Sequence, residues 1–335
     1  MADDTRGPPA ERPRDRRGSR RPGDTALPAP RRLPEVIRSG PWRRSVIERQ
    51  VRRGDLRPVR RGVYVPSVTE DGGPALRRER RVLALAAAVA AGLKTDVVLS
   101  HETAALVHGL NLYGLAEEVH VCQDSKPAGR RTPDPHLRRH PIVVPDRDRT
   151  DVSGRPVTTI ERTMVDCARW LPGARALVVA DSALRAGADP DVVALLLDEA
   201  SGRPGVRQAR RIVEVADARA ESVGESLVRW FVLEADLGPV ELAVEAPTRR
   251  GRYWVDLGWP TLEVGIEFDG LVKYSGGEFG DPRQRLLAEK RRHDALTEAG
   301  WTLVHVTWED LRDPAALIAR IRAALAAAYR RRAAR

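Results

Sequence analysis

The 335-residue chain reads as a multidomain protein of mixed α+β and α/β class, with a short helix-and-ribbon module, a mostly helical middle region and a carboxy-terminal αβββαβ segment. Three observations predict this. The length exceeds the roughly 250–300 residues at which a single hydrophobic core stops growing. Apolar residues recur at helical spacing through most of residues 76–215 and then switch to a period of two in the segments of 241–269. Charge is unevenly placed: residues 1–67 carry 18 arginines against 8 acids, the whole net charge of +10, and the remainder balances at 39 of each sign.

Residues 1–32 are Pro, Gly, Arg and Asp with almost nothing to bury, and are expected to form a disordered basic tail. Residues 33–67 make the first module. Trp42, Val46, Ile47 and Val51 recur at helical spacing, Arg44, Arg49, Arg52 and Arg53 point elsewhere, and Gly54 closes the helix. The run LRPVRRGVYVP (56–66) then reads as a two-stranded ribbon turning at Arg60-Arg61-Gly62. Helix followed by basic ribbon is the order of the second half of a winged helix, in which the helix enters a major groove and Arg60 and Arg61 contact phosphates. Positive charge gathered at one end suits a polyanion, and the first thirty residues lack the amphipathic apolar face a membrane surface requires. A solvated, arginine-rich tail is the other reading.

The stretch RRGDLRPVRRGVYVP resembles the end of the winged-helix domain that opens AbiEi-type antitoxins of type IV toxin–antitoxin systems. LSHETAALVHGL and GRPVTTIERTMVDCAR are similar to the region after that domain in actinobacterial relatives. The resemblance implies promoter DNA as a partner, repression of the protein's own operon, and a cognate toxin or neighbouring-gene product as a second partner. Few foldable residues precede the Trp42 helix, so the leading helices of that family are expected to be short or missing.

In the middle region, 68–215, Leu76 to Leu93 reads as an Ala-rich buried helix, and Ser100 caps a second helix that Gly109 ends. Residues 117–122 and 136–145 alternate as strands, and helices are expected over Thr159–Trp170, Ala174–Ala186, Pro190–Ala200 and Val206–Ala220. His101 and His108 share a helix face, and His120 and Cys122 share a strand face. With no third ligand at metal spacing, these residues are expected to serve packing or surface roles. Cys122 and Cys167 suggest no disulfide framework, and a cytoplasmic location is expected. No apolar run approaches the ~20 residues that span a bilayer, so no membrane partner is expected.

Residues 216–330 form the last domain. A helix over SVGESLVRWFVLEADLG (222–238), strands at 241–247, RYWVDLGWP (252–260) and LEVGIEFDG (262–270), a helix at 282–300, a strand at 301–308 and a final helix give the αβββαβ order of a restriction-endonuclease-like core. Alternation puts Glu267 and Asp269 on one face of their strand and Val264, Ile266 and Phe268 on the other, and a hairpin brings Asp256 beside Glu267. Carboxylates converging from adjacent strands suit a hard cation such as Mg²⁺. A solvated strand face is the alternative. Glu225 is either a supporting acid or the reciprocal member of a Ser222-x-x-Glu225 capping box, and Arg229, one turn on, is placed to pair with it.

ESLVR, VDLGWP, IEFDG and EKRRHDALTEAGWTLVHVTWEDL, in that order over 221–313, closely resemble domains of unknown function related to very-short-patch-repair endonucleases. That resemblance implies a PD-(D/E)XK nuclease fold with Asp256 and Glu267 as Mg²⁺ ligands, Glu225 as a supporting acid and Asp269 where lysine more often stands. Lys273 or Lys290 would then supply the missing positive charge. The histidine that such repair endonucleases carry is absent, and Tyr274 stands near its position. Two functions are expected from these features: a DNA-binding, metal-dependent endonuclease, or a non-catalytic antitoxin-like transcriptional regulator.

Overall fold

The structure, a computed structural model, describes residues 23, 25–40, 43–67, 73–93, 96–124, 134–270 and 282–334, the side chains of 282–286 excepted. It is a mixed α/β chain that divides into two compact units, one spanning Thr25–Glu234 and the other running on from Ala235. Among the described residues, no helix is long and apolar enough to cross a membrane.

The larger unit opens with an irregular stretch that is nevertheless held. The Arg31 N–H donates to the Val107 carbonyl at 2.8 Å, the Arg185 guanidinium donates to the Thr25 carbonyl at 2.8 Å, and Arg31 pairs with Glu79. The expected disorder of residues 1–32 therefore does not extend to 25–32, where the Thr25 carbonyl and Arg31 find partners far along the chain; residues 1–22 and 24 lie outside the described residues.

Next come β1 (Ile37–Arg38), α1 (Arg44–Arg53), β2 (Leu56–Arg60) and β3 (Val63–Pro66), with the strands in the order β1-β3-β2. Helix α1 stops at Gly54, whose φ of 79° lets its N–H turn back to the Val51 carbonyl at 3.1 Å. The expected apolar stripe is narrower than read: Ile47 is buried, Val51 half-buried, and Val46 faces out at 51% exposure. Trp42 lies outside the described residues.

The middle region contains more strand than its sequence suggested. After α2 (Pro74–Gly92), β4 (Val98–Leu99), α3 (His101–Val107), β5 (Val119–Gln123), β6 (Leu137–Pro141), β7 (Arg149–Val152) and β8 (Arg155–Thr158) build a five-stranded sheet in the order β6-β5-β4-β8-β7. The β7–β8 hairpin is hard to read from sequence because its four-residue strands carry mostly outward polar side chains. Its turn, Ser153-Gly154 with φ of 56° and 73°, has the backbone hand that two-residue hairpins favour. Helices α4 (Ile160–Trp170), α5 (Gly173–Arg185), α6 (Pro190–Glu199) and α7 (Val206–Val215) then pack into an apolar cluster around Met164, Leu177, Val179, Val193 and Ile212.

Helix α8 (Val223–Glu234), expected to open the last domain, packs on α5 within this larger unit. The two helices are joined by a buried ion pair between Arg229 Nη2 and Asp181 Oδ1 at 2.5 Å, and Ser226 Oγ donates to Asp181 Oδ2 at 2.7 Å. Arg229 thus pairs with Asp181, correcting the expectation that it pairs with Glu225. Desolvation pushes the Asp181 carboxyl above its ordinary range, against the pull of Arg229.

In the smaller unit, β9 (Glu241–Thr248), β10 (Gly251–Trp259), β11 (Val264–Asp269) and β12 (Thr302–Thr307) lie in the order β12-β11-β10-β9. Strand β11 runs antiparallel to β10 and parallel to β12. Helix α9 (Pro282–Glu298) covers one face through Ala295 and Leu296, which pack with Val244, Ala246, Tyr253, Val255 and Trp301. Helix α10 (Pro314–Ala333) contacts β11 and β12 and turns Leu317, Ile318, Ile321 and Leu325 inward.

Removing one partner of the α5–α8 pair leaves a buried charge without its counterion, which costs about 3–5 kcal/mol. Asp181→Ala is therefore expected to lower stability by that amount in urea denaturation. The double variant Asp181→Ala/Arg229→Met should recover a large part of the loss.

Candidate functional site

The carboxy-terminal sheet places its acids by register. Leu257 pairs with Ile266 and Gly258 with Gly265, and the ladder ends there, one step short of Asp256 and Glu267. There the side chain takes over from the backbone ladder: Asp256 Oδ2 accepts the Phe268 N–H at 2.8 Å. On the other side of β10 the same point is distorted. Pairs Val255–Val244 and Leu257–Leu242 flank Ala243, which holds a left-handed φ of 51°. Strand β11 alternates as expected, with Val264, Ile266 and Phe268 buried and Glu267 and Asp269 half-buried. Glu263, read as part of that strand, instead precedes it in a left-handed turn with φ of 53°.

Glu267 is the electrostatic centre. Arg292 of α9 reaches it, Nη2 to Oε1 at 2.6 Å, and the same nitrogen donates to the Trp254 carbonyl at 2.6 Å. His305, its neighbour in register on β12, brings Nδ1 to 3.8 Å from Oε2. His293 of α9 stands behind, its Nδ1 3.4 Å from His305 Nε2. Burial, then the nearness of His293, holds His305 below its ordinary pKa, opposed by Asp269 and Glu289. Near neutral pH it is therefore a neutral imidazole.

Other nominated residues lie apart from this pair. Glu225 serves its own helix: Oε2 accepts the Glu221 N–H at 2.8 Å, Oε1 accepts from Ser222 Oγ at 2.8 Å, and the Glu225 N–H points to Ser222 Oγ at 3.2 Å. This is a reciprocal capping box, and it lies in the larger unit. Lys290 is exposed on α9. Lys273 and Tyr274 lie outside the described residues. The cation that meets Glu267 is Arg292, which motif spacing does not single out. Two positions separate it from Lys290, about 200° around the helix. Its spacing of three and four from the buried Ala295 and Leu296 marked it as inward-facing.

Two groups of three His, Cys, Asp or Glu bring all their ligand atoms within 4.8 Å of one another among the described residues, and Asp256, Glu267 and Asp269 do not form one. The donor chemistry nevertheless fits Mg²⁺ as a site of two carboxylates, since this ion binds through one or two carboxylates and completes its shell with water and phosphate oxygens. Each acid has two oxygens, so the contacts to Phe268 and Arg292 do not conflict with that role.

At the other end of the chain, Arg44, Arg49, Arg52 and Arg53 are exposed along α1, and Arg61 is exposed at the ribbon turn. Arg44 Nε lies 3.1 Å from Glu48 Oε1, an exposed pair of small energetic weight. Arg60 departs from expectation, being half-buried and paired with Asp134. His108 bears out its packing role, with Nε2 2.7 Å from the Thr158 carbonyl. His101 and His120 are buried as well, and they meet there a third histidine, His140, that neither helical nor strand spacing reveals.

Arg292→Met is expected to lower stability by about 1–3 kcal/mol, because it strips a half-buried carboxylate of its counter-charge and a carbonyl of its donor. Lys290→Met should stay within about 0.5 kcal/mol. Urea denaturation of the two variants checks the contrast.

No family model matches this chain. It is 33% identical over 228 residues to the uncharacterized protein Rv2248 of Mycobacterium tuberculosis (strain ATCC 25618 / H37Rv), a match covering 66% of this chain and 80% of the relative. Uncharacterized protein MT2308 of M. tuberculosis (strain CDC 1551 / Oshkosh) matches with the same identity and coverage. The chain belongs to the family of these mycobacterial proteins.

Proposed function

We propose that this is a DNA-acting protein in which a winged-helix-like module at residues 33–67 engages DNA and the carboxy-terminal sheet, a nuclease-like core, hydrolyses a phosphodiester with Mg²⁺. The observation that carries the proposal is the nearness of Asp256 and Glu267, two half-buried acids on adjacent strands just past the end of their ladder, with Arg292 beside Glu267. Strand interiors are depleted in such residues, and these two sit where the ladder is interrupted. Asp256 and Glu267 would hold the ion, which supplies an activated water and charge stabilisation when bound. Arg292 offers a guanidinium suited to a phosphate oxygen, the role for which lysine is missing at Asp269. Neutral His305 is placed to accept a proton.

Plasmid and oligonucleotide cleavage by the full chain tests this. Mg²⁺- or Mn²⁺-dependent cutting is expected, blocked by EDTA and reduced by at least about 100-fold in Asp256→Ala. Absence of cutting with either metal rejects the catalytic reading.

A second reading is favoured by the contact between Arg292 and Glu267, which neutralises one ligand, together with Asp269 in the lysine position. In that reading the protein is an antitoxin-like transcriptional regulator, partnered by a cognate toxin or neighbouring-gene product, whose nuclease-like fold only grips DNA. Both readings need the basic module. Replacing Arg49, Arg52, Arg53 and Arg61 by Ala is expected to weaken DNA binding and flatten its dependence on log salt by about 0.9 per lost phosphate contact. An unchanged slope moves the DNA-binding surface elsewhere.

A further inference from the structure

The middle sheet of the larger unit holds a cluster that the proposed function does not use. His101 enters from the start of α3, His120 from β5 and His140 from β6. Their exposures are 4%, 2% and 7%, and one ligand nitrogen from each lies within 4.8 Å of the others. His120 Nδ1 and His140 Nε2 face each other at 3.0 Å, and the His101 ring stacks on that of His140 with centroids 3.8 Å apart. Two nitrogens bound to one tetrahedral zinc at ~2.0–2.1 Å stand about 3.4 Å apart, close to the His120–His140 separation, while His101, stacked on His140, would turn its ring to join them.

The remaining ring nitrogens are also placed as a metal centre needs them. His101 Nδ1 is 3.0 Å from Ser100 Oγ, which leaves Nε2 for a ligand. His120 Nε2 lies 3.8 Å from Glu102 Oε2, and Arg175 fixes the other oxygen of Glu102 at 2.5 Å. Glu118 Oε2 lies 3.9 Å from the same nitrogen, and a carboxylate drawn into hydrogen-bond range there would orient the ring and raise its basicity toward a metal. His101 adopts a left-handed φ of 51°.

A hydrogen bond between His120 and His140 accounts for two of the rings and says nothing of the third, nor of Glu102. The second group of potential ligands, His101 with Cys122 and Asp166, is already committed. Asp166 Oδ2 accepts from Arg162 Nε at 2.9 Å, and burial pushes the Cys122 thiol up to about 11, which keeps it protonated.

We propose that His101, His120 and His140 bind one divalent transition ion of the zinc class, with Glu102 as the positioning carboxylate of His120 and a fourth coordination position held by water. Three histidines plus an exchangeable position distinguish this from a closed structural site. The Trp170 ring lies edge-on to all three imidazoles, at centroid distances of 5.9, 6.1 and 5.2 Å, and is itself 48% exposed, so it stands between the site and solvent.

The test uses the untagged full chain, stripped with EDTA and titrated with Zn²⁺ and Co²⁺. Expected are about one equivalent bound per chain more tightly than any ion at Asp256 and Glu267, visible bands of four-coordinate Co²⁺, and an X-ray absorption shell of nitrogen or oxygen at ~2.0–2.1 Å with the outer-shell scattering of three imidazoles. Glu102→Gln should weaken binding by about 10–100-fold, and His140→Gln by more. His293→Gln, which removes the carboxy-terminal histidine pair, should bind as wild type. No uptake by the wild-type chain, an absorption spectrum without imidazole scattering, or loss of the ion in His293→Gln would overturn the proposal. The spectra of the wild-type chain decide the matter even if His140→Gln does not fold.

Discussion

The carboxy-terminal unit depends on the alternation of one strand. Val264, Ile266 and Phe268 of β11 must be buried, and a period of two then forces Gly265, Glu267 and Asp269 onto the opposite face. Gly265 shows how tight that face is: a Cβ there would meet Val255 Cγ1 at 2.5 Å and Leu303 Cδ2 at 3.0 Å. With β11 locked between β10 and β12, a slip of one residue would turn both acids to the other face and drive the apolar trio, each member of which contributes about 1.5–3 kcal/mol by its burial, against Val255 and Leu303. The same constraint that makes the sheet stable therefore holds Glu267 under Arg292.

Charge in the two units is handled in different ways. In the larger unit, buried Asp181 and Arg229 satisfy one another inside the α5–α8 contact, an arrangement that ties helices together and leaves no group exposed for chemistry. In the smaller unit, Glu267, Arg292 and His305 are only partly buried, at 12%, 20% and 45% side-chain exposure. Their fields are strengthened by the low-dielectric wall of the sheet while the groups remain reachable. The first pattern is structural, and the second is the one that binding sites use.

The legibility of this chain depends on the range of its interactions. Strands β9 to β12 and helices α4 to α6 were readable to within a residue or two, because each carries its own period and its own stop signal. Gly54 and the Arg60-Arg61-Gly62 turn were readable for the same reason. The β7–β8 hairpin was lost because short strands with outward polar side chains have no period to detect. Val46 was placed inward by spacing alone and faces outward. Pairings across long separations were not readable: Arg229 with Asp181, Arg60 with Asp134, and above all His140 with His101 and His120. Glu225 could be read two ways, and its local capping box is formed.

The most direct measurement is the number of Mn²⁺ ions bound by the full chain, monitored by electron paramagnetic resonance as Asp256 and Glu267 are each replaced by Ala. If the two acids form one hard-cation site, each replacement removes the same single equivalent. His140→Gln leaves that equivalent in place. Undiminished Mn²⁺ binding in both carboxylate variants would contradict the account and reduce Asp256 and Glu267 to a solvated strand face.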